Sequence, residues 1–156
     1  MKKQKMVTGV GGLAVRKDGK ILLTKRHAPG KPAWHNKWQV AGGEMEFGET
    51  PEQTLARELQ EELNVSARII FPYPIIVTKV WYGDHVDTKQ DTHITLMIYL
   101  VDIGNQKVDV SGDEETNAYK WVDPKKVDFK KCLPLTDKVI VKFGEIIKNN
   151  GILEKL

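Results

Sequence analysis

The sequence predicts an α/β fold in which a mixed β-sheet lies between two helices, as in an α/β/α sandwich. Two observations support this prediction. Runs rich in Val, Ile and aromatic residues stand on both sides of a helical segment near residues 51–63, and a second amphipathic helix lies towards the end of the sequence. A chain of 156 residues is long enough for one domain, residues 1–156, with a full hydrophobic core.

The charge balance argues against a dedicated nucleic-acid-binding protein, although it does not exclude RNA. The chain has 24 Lys and Arg residues against 21 Asp and Glu residues, which leaves a net charge of +3. Its single cysteine, Cys132, permits no internal disulfide and fits a reducing compartment as a buried thiol. Since no apolar run approaches the roughly 20 residues needed to span a bilayer, we expect a soluble cytoplasmic protein with no membrane partner.

Two β-rich runs are predicted near residues 5–15 and 20–25. The apolar part of the first run is short and rich in glycine, which favours a strand over a signal peptide. Between the runs, Lys17-Asp18-Gly19 is a hairpin turn signal in which Gly19 supplies a positive φ. The second run ends in cationic residues, which could either bind an anionic ligand or simply be solvated. Arg26 is the preferred ligand contact, because its planar guanidinium group matches the geometry of phosphate oxygens.

A surface loop is predicted for residues 28–37, which contain two prolines and a glycine. Trp34 in this loop could stack on a nucleobase or pack against the protein, whereas Trp38 is expected in the core.

Residues 50–64 carry the start and stop signals of a helix. Thr50 is the expected N-cap, Pro51 occupies the first helical position, and Gln53 can close a capping box with Thr50. At the other end, Asn64 is placed to terminate the helix in the left-handed conformation.

The same helix carries an acidic stripe that is unfavourable by itself. At helical spacing three leucines share one side and three glutamates share the adjoining stripe. Each like-charge pair costs roughly 0.2 to 0.5 kcal/mol, and a divalent cation reverses the sign of that term. A solvated acidic face is the alternative. Upstream, two glycines would let the backbone approach a ligand. These residues are Leu55, Leu59, Leu63, Glu58, Glu61, Glu62, Gly42 and Gly43.

Residues 43–65 resemble the Nudix box, G-x5-E-x7-R-E-U-x-E-E-x-G-U, in which U is a bulky aliphatic residue. The one departure is Asn64, which stands where the family has Gly, and Asn also tolerates left-handed geometry. The box covers about a seventh of the chain, but its many fixed positions make it specific. The matching residues are Gly43, Glu49, Arg57, Glu58, Leu59, Glu61, Glu62 and Val65.

The resemblance implies a metal-dependent hydrolase with Mg²⁺ as cofactor and Mn²⁺ as the alternative. Its expected metal ligands are Glu58, Glu61, Glu62 and Gly42, together with a glutamate from a later loop. By likeness to MutT-type members that glutamate is Glu115, six residues before Trp121, with Glu114 as the alternative. Glu49 and Arg57 are expected to orient the carboxylates. Glu58 and Glu115 both remain candidates for the general base, and the expected catalytic residues are Arg57, Glu58, Glu61, Glu62 and Glu115.

The remaining elements complete the predicted sheet and the second helix. Residues 67–82 are interrupted by Pro72 and Pro74, so they form either two strands or one bulged strand. Strands are also expected over 93–102 and 118–122, the former paired as a hairpin across a polar loop at 83–91. A helix over 136–149 is expected to be capped by Thr136 and to pack on the sheet face opposite the first helix.

The histidines and aspartates around the polar loop lack the fixed spacing of metal ligands, so solvated side chains are the expected state. These are His85, Asp87, Asp91 and His93.

The predicted reaction is cleavage of a pyrophosphate bond in a nucleoside diphosphate derivative, with a nucleoside triphosphate giving monophosphate and pyrophosphate. The expected partner is this small-molecule nucleotide, held by Arg26, Trp34, Gly43 and Thr136. Thr136 stands where MutT enzymes for oxidised guanine place a base-reading Asn. Dinucleoside polyphosphates and RNA 5′ ends remain alternative substrates. Tyr82 weakly favours the former, because it lies near the position where dinucleoside polyphosphate enzymes have a tyrosine. A nucleotide sensor without turnover is the alternative from another class, and the sequence predicts no oligomeric state.

Overall fold

The computed structural model describes residues 2–83 and 90–156. In these ranges it has eight strands and two α-helices, with short 3₁₀ turns near the C-terminal end. They are β1 (Lys3–Ala14), β2 (Ile21–Arg26), β3 (Trp38–Gln39), β4 (Ala41–Glu44), α1 (Pro51–Leu63), β5 (Arg68–Ile69), β6 (Ile75–Trp81), β7 (Gln90–Asp102), β8 (Thr116–Val122) and α2 (Thr136–Asn149).

The main sheet is mixed, as predicted. Its strand order is β4-β1-β7-β5, and β6 also pairs with β7. β1 runs parallel to β7 from Lys3 opposite Gln90 to Ala14 opposite Val101, whereas β4, β5 and β6 pair antiparallel to their neighbours. A separate three-stranded antiparallel sheet, in the order β3-β2-β8, was not predicted from the sequence.

The predicted β1–β2 hairpin is wrong in its pairing, although the turn itself is correct. Gly19 has a φ of +84°, and its amide donates to the carbonyl of Arg16 over 2.8 Å. Past the turn, Val15 and Ile21 form an isolated bridge, and the two strands then enter different sheets. The turn residues specify the reversal of direction, but core packing decides which strand each run joins.

The two helices cover opposite faces of the sheet, which confirms the α/β/α arrangement. α1 buries Leu55, Leu59 and Leu63 in a cluster that includes Val10 of β1. Successive side chains of a strand alternate between its two faces. Leu13, three residues after Val10, therefore lies on the other face and joins a second cluster. This second cluster contains Val139, Ile140 and Phe143 of α2.

The ends of α1 are as predicted. The Thr50 hydroxyl accepts from the Gln53 amide at 3.2 Å, and the Gln53 side chain accepts from the Thr50 amide at 2.9 Å. Asn64 is left-handed with a φ of 56°, and its amide donates to the Gln60 carbonyl at 3.0 Å. The acidic stripe therefore stands on a helix with both ends fixed.

The predicted capping role of Thr136 is wrong. α2 begins at Thr136, and the N-cap is Leu135, which is left-handed with a φ of 80° and provides no side-chain cap. A left-handed residue before the helix makes Thr136 the first helical residue and moves its hydroxyl out of the capping position. Thr136 is nevertheless buried.

Other parts of the chain agree with the sequence. Residues 67–82 form two strands with the prolines between them, and β6 pairs with β7 as a hairpin. Trp38 is partly buried against the α2-side core, and Cys132 is buried. Within the described ranges, no helix is long and apolar enough to cross a membrane. His85 and Asp87 lie outside the described residues.

Candidate active site

A cavity of about 1140 Å³ lies where α1, β4, the end of β2 and the loop before β8 come together. It has both acidic and aromatic walls. All of the residues predicted to bind metal or substrate line it, namely Arg26, Trp34, Gly42, Gly43, Glu58, Glu61, Glu62, Glu115 and Thr136.

Arg57 forms hydrogen bonds to three glutamates, Glu49, Glu58 and Glu61. Its Nε and Nη2 donate to the two carboxylate oxygens of Glu49 at 2.8 and 2.9 Å. Its Nη1 donates to Glu58 Oε1 at 2.8 Å and to Glu61 Oε2 at 3.3 Å, and Nη2 also reaches the Glu44 carbonyl at 3.0 Å. These bonds hold the guanidinium in one position and tie α1 to the loop that precedes it.

Glu49 is held as a carboxylate by these donors. Hydrogen bonds from Arg57, the Glu46 amide and Thr54 Oγ1 lower its pKa to about 2, with Arg57 as the largest cause. Glu49 does not line the cavity, so its contact with the site runs through Arg57.

Glu62 is the buried carboxylate of the site, with 3% of its surface exposed. Its Oε1 accepts from Thr24 Oγ1 at 2.9 Å and from Thr116 Oγ1 at 3.1 Å, and its Oε2 accepts from the Gly42 amide at 2.9 Å. Burial raises the pKa of Glu62 to about 7 against the opposing effect of these hydrogen bonds. The second sheet thus supplies two hydroxyls to a carboxylate of α1.

Glu58 stands over a glycine that has no space for a side chain. A Cβ at Gly43 would collide with the Glu58 carboxylate, and one at Gly42, whose φ is +152°, would strike the backbone of Val10. Burial raises the pKa of Glu58, opposed by its hydrogen bond to Arg57. The two glycines therefore permit a close approach between backbone and carboxylate.

The donor set suits a hard divalent cation, although it is not preassembled around one. Within residues 2–83 and 90–156, no three His, Cys, Asp or Glu side chains are grouped so as to hold an ion, and Glu58 and Glu61 accept hydrogen bonds from Arg57. Carboxylate oxygens beside an open glycine turn are nevertheless the ligands that Mg²⁺ and Mn²⁺ prefer. Glu61 is 59% exposed and has room to turn.

Cations and indole rings form the opposite wall of the cavity. Trp34 and Trp81 meet edge to face with centroids 5.8 Å apart, and Lys31 Nζ lies 4.6 Å from the Trp34 centroid. The Arg26 guanidinium lies 5.6 Å from the same ring. In the described part of the chain its Nε is a buried donor without a hydrogen-bond partner.

Sequence reasoning missed Thr24, Thr116 and Asp113, all of which are close to the glutamates. Thr24 follows three apolar residues in the strand sequence ILLTKR, and a fully buried hydroxyl there needs a polar partner. That signal was present in the sequence. Nothing local indicated that the partner would be Glu62.

Comparison with protein families and with known proteins places these features in context. The NUDIX domain family model matches residues 5–142. The chain is 35% identical over 91 residues to the 8-oxo-dGTP diphosphatase of Escherichia coli K12, which covers 58% of this chain and 62% of the relative. The chain therefore covers less than two thirds of that relative.

A second relative aligns over most of both chains. The RNA pyrophosphohydrolase of Zymomonas mobilis is 30% identical over 153 residues, which covers 88% of this chain and 94% of the relative. Among solved structures, the MutT NUDIX hydrolase from Burkholderia pseudomallei superimposes with a TM-score of 0.70 at 22% identity, covering 87% of this chain and 96% of that one. The structural likeness confirms the fold.

Proposed function

The chain belongs to the NUDIX domain family, and from that premise we propose that it hydrolyses a pyrophosphate bond of a nucleotide with the help of a divalent metal ion. The preferred reaction is that of a nucleoside triphosphate with water to give a nucleoside monophosphate and pyrophosphate. One observation carries the proposal. Three glutamates of α1 line the same cavity as two tryptophans and an arginine.

Glu58, Glu61, Glu62 and the backbone at Gly42 are the residues that would hold the ion. When bound, a divalent cation polarises phosphoryl oxygens and lowers the pKa of an attacking water. The chain itself contributes the position of each carboxylate. Thr24, Thr116 and the Gly42 amide orient Glu62. Arg57 holds Glu58 and Glu61 by hydrogen bonds.

The opposite wall is suited to the rest of the nucleotide. Arg26 and Lys31 provide positive charge beside Trp34, so phosphates could contact the cations while the base stacks on an indole ring. Stacking on an indole ring tolerates different bases. Substrate orientation would then follow from charge at one end and aromatic surface at the other.

The test is product release from a panel of nucleoside triphosphates with Mg²⁺, with Mn²⁺ and with a chelator. We expect monophosphate and pyrophosphate in equal amounts, no turnover with the chelator, and loss of turnover by orders of magnitude in Glu62→Gln. Lys142→Gln on α2 is a matched control that should behave as the natural protein. Tight nucleotide binding without product would identify a sensor and contradict the proposal.

Removal of pyrophosphate from an RNA 5′ end is a second candidate. It is favoured by the relative named RNA pyrophosphohydrolase, which this chain covers over 94% of its length. A 5′-triphosphorylated oligonucleotide should be compared with GTP and ATP at equal concentrations. A higher kcat/KM for the oligonucleotide would favour this candidate over the mononucleotide reaction.

A further inference from the structure

The loop before β8 contains three consecutive acids, Asp113, Glu114 and Glu115, and the structure separates their roles. The Glu115 carboxylate is 70% exposed and stands 3.7 Å from Arg26 Nη2. It faces a cation that also lies 5.6 Å from the centroid of the Trp34 ring.

Asp113 is turned the other way, towards the buried carboxylate. Its Oδ2 lies 2.9 Å from Thr116 Oγ1, and the same hydroxyl lies 3.1 Å from Glu62 Oε1. Its Oδ1 accepts from the Glu115 amide at 3.0 Å, which fixes the side chain. Asp113 and Glu62 are thus bridged by one hydroxyl, and Asp113 lines the cavity.

This bridge is incomplete as a hydrogen-bond arrangement. A threonine hydroxyl has one hydrogen, so Thr116 can donate to Asp113 or to Glu62 but not to both at once. Two carboxylates bridged by one hydroxyl also repel each other, and Glu58 lines the same cavity as both of them. A divalent cation between the carboxylates would neutralise the charge that the single hydrogen leaves uncompensated.

We propose that Asp113 is the loop carboxylate that joins Glu58 and Glu62 in metal binding, and that Glu115 instead pairs with Arg26 beside the substrate. The proposal rests on the proposed function, since it assigns one further ligand to the same metal site. It replaces an assignment made from the distance to Trp121 with one based on contacts. Asp113 is two residues further from that tryptophan than Glu115.

The experiment measures Mn²⁺ binding by isothermal titration calorimetry on the full chain without nucleotide. The variants are Asp113→Asn, Glu114→Gln, Glu115→Gln and Glu62→Gln, each of which removes a charge with little change of shape. Asn at position 113 can still accept from the Glu115 amide and contact Thr116, so the loop should remain folded. Asp113→Ser provides a second variant, and circular dichroism checks that each protein is folded.

We expect Asp113→Asn and Asp113→Ser to weaken Mn²⁺ binding by at least about 10-fold, the lower limit for outer partners of a metal site. Glu114→Gln and Glu115→Gln should stay within about 3-fold of the natural protein, well below that limit. A smaller loss in the Asp113 variants, or a loss of about 10-fold or more in Glu115→Gln, overturns the assignment. If Glu62→Gln also binds Mn²⁺ normally, the proposed metal site itself fails, so the two failures are distinguishable.

Discussion

Glu62→Gln should remove a pH-dependent loss of stability from the metal-free protein. In the folded state the pKa of Glu62 is raised to about 7 from an ordinary value of 4.5, mainly by burial. Between these two values the folded protein keeps a proton that the unfolded chain has released. The free energy of unfolding therefore decreases as the pH rises through this window. Above the folded-state pKa, Glu62 causes no further decrease.

The magnitude follows from the width of the window. Each pH unit is worth about 1.4 kcal/mol, so Glu62 contributes a loss of about 3 kcal/mol between acid and neutral pH. A glutamine has no such titration. Its carbonyl can accept from the Gly42 amide while its amide group donates to the hydroxyls of Thr24 and Thr116, so the three hydrogen-bond positions stay filled.

The assay is urea unfolding followed by tryptophan fluorescence, with a chelator present, at several pH values between about 5 and 8. The measured quantity is the difference in unfolding free energy between Glu62→Gln and the natural protein, which should grow with pH in favour of the variant. Glu61→Gln is the matched control, because its carboxylate is 59% exposed. A difference that stays constant across the range would refute the reasoning. Added Mg²⁺ should stabilise the natural protein more at higher pH, because metal and proton compete for the carboxylate.

Three further predictions concern the walls of the cavity. Arg57→Ala should weaken Mn²⁺ binding, measured by calorimetry, by about 10- to 100-fold, because Glu58 and Glu61 lose their common hydrogen-bond partner. Unchanged metal binding together with weaker substrate binding would show instead that Arg57 contacts the substrate. Gly43→Ala should remain folded but lose most turnover, because the added Cβ meets the Glu58 carboxylate; normal kcat in a pyrophosphate-release assay would contradict this. Trp34→Ala should raise KM by about 5- to 100-fold with a smaller change in kcat, the scale of one stacked base; steady-state kinetics decide, with Trp38→Phe as the control.

Local signals in the sequence predict elements well when the residues that form the signal also form the contact. The α1 helix shows this, since Thr50, Gln53 and Asn64 contact the helix that they delimit. Arg57 and Glu49 likewise belong to one short motif, and they pair at 2.8 Å. For such features the contacting residues are close in sequence, and helical geometry determines which of them meet.

Contacts between distant segments could not be predicted in the same way. Thr24 and Thr116 reach Glu62 from two strands of a sheet that sequence periodicity did not reveal. The choice among the acids before β8 depends on their three-dimensional contacts, since Asp113 contacts Thr116 whereas Glu115 lies beside Arg26. A count of residues from Trp121 cannot supply those contacts. Buried polar side chains in apolar strands are the one indication that such long-range contacts exist.

The start of α2 bears directly on substrate choice. Thr136 lines the cavity and is not occupied as the helix cap, since that position is held by Leu135. Its hydroxyl could therefore face a base, but one rotating hydroxyl cannot donate and accept in two fixed directions as an amide does.

We accordingly predict that the enzyme does not strongly prefer 8-oxo-dGTP over dGTP. Strong discrimination requires that the wrong base leave polar groups of the site unpaired, and a stacking surface of Trp34 and Trp81 with one hydroxyl imposes little such cost. The ratio of kcat/KM for the two nucleotides should stay below about a thousand. Thr136→Asn should raise this ratio, because an amide adds a separate donor and acceptor, whereas Thr136→Ser should leave it unchanged. A ratio above that limit in the natural protein would mean that another side chain of the cavity reads the base edge.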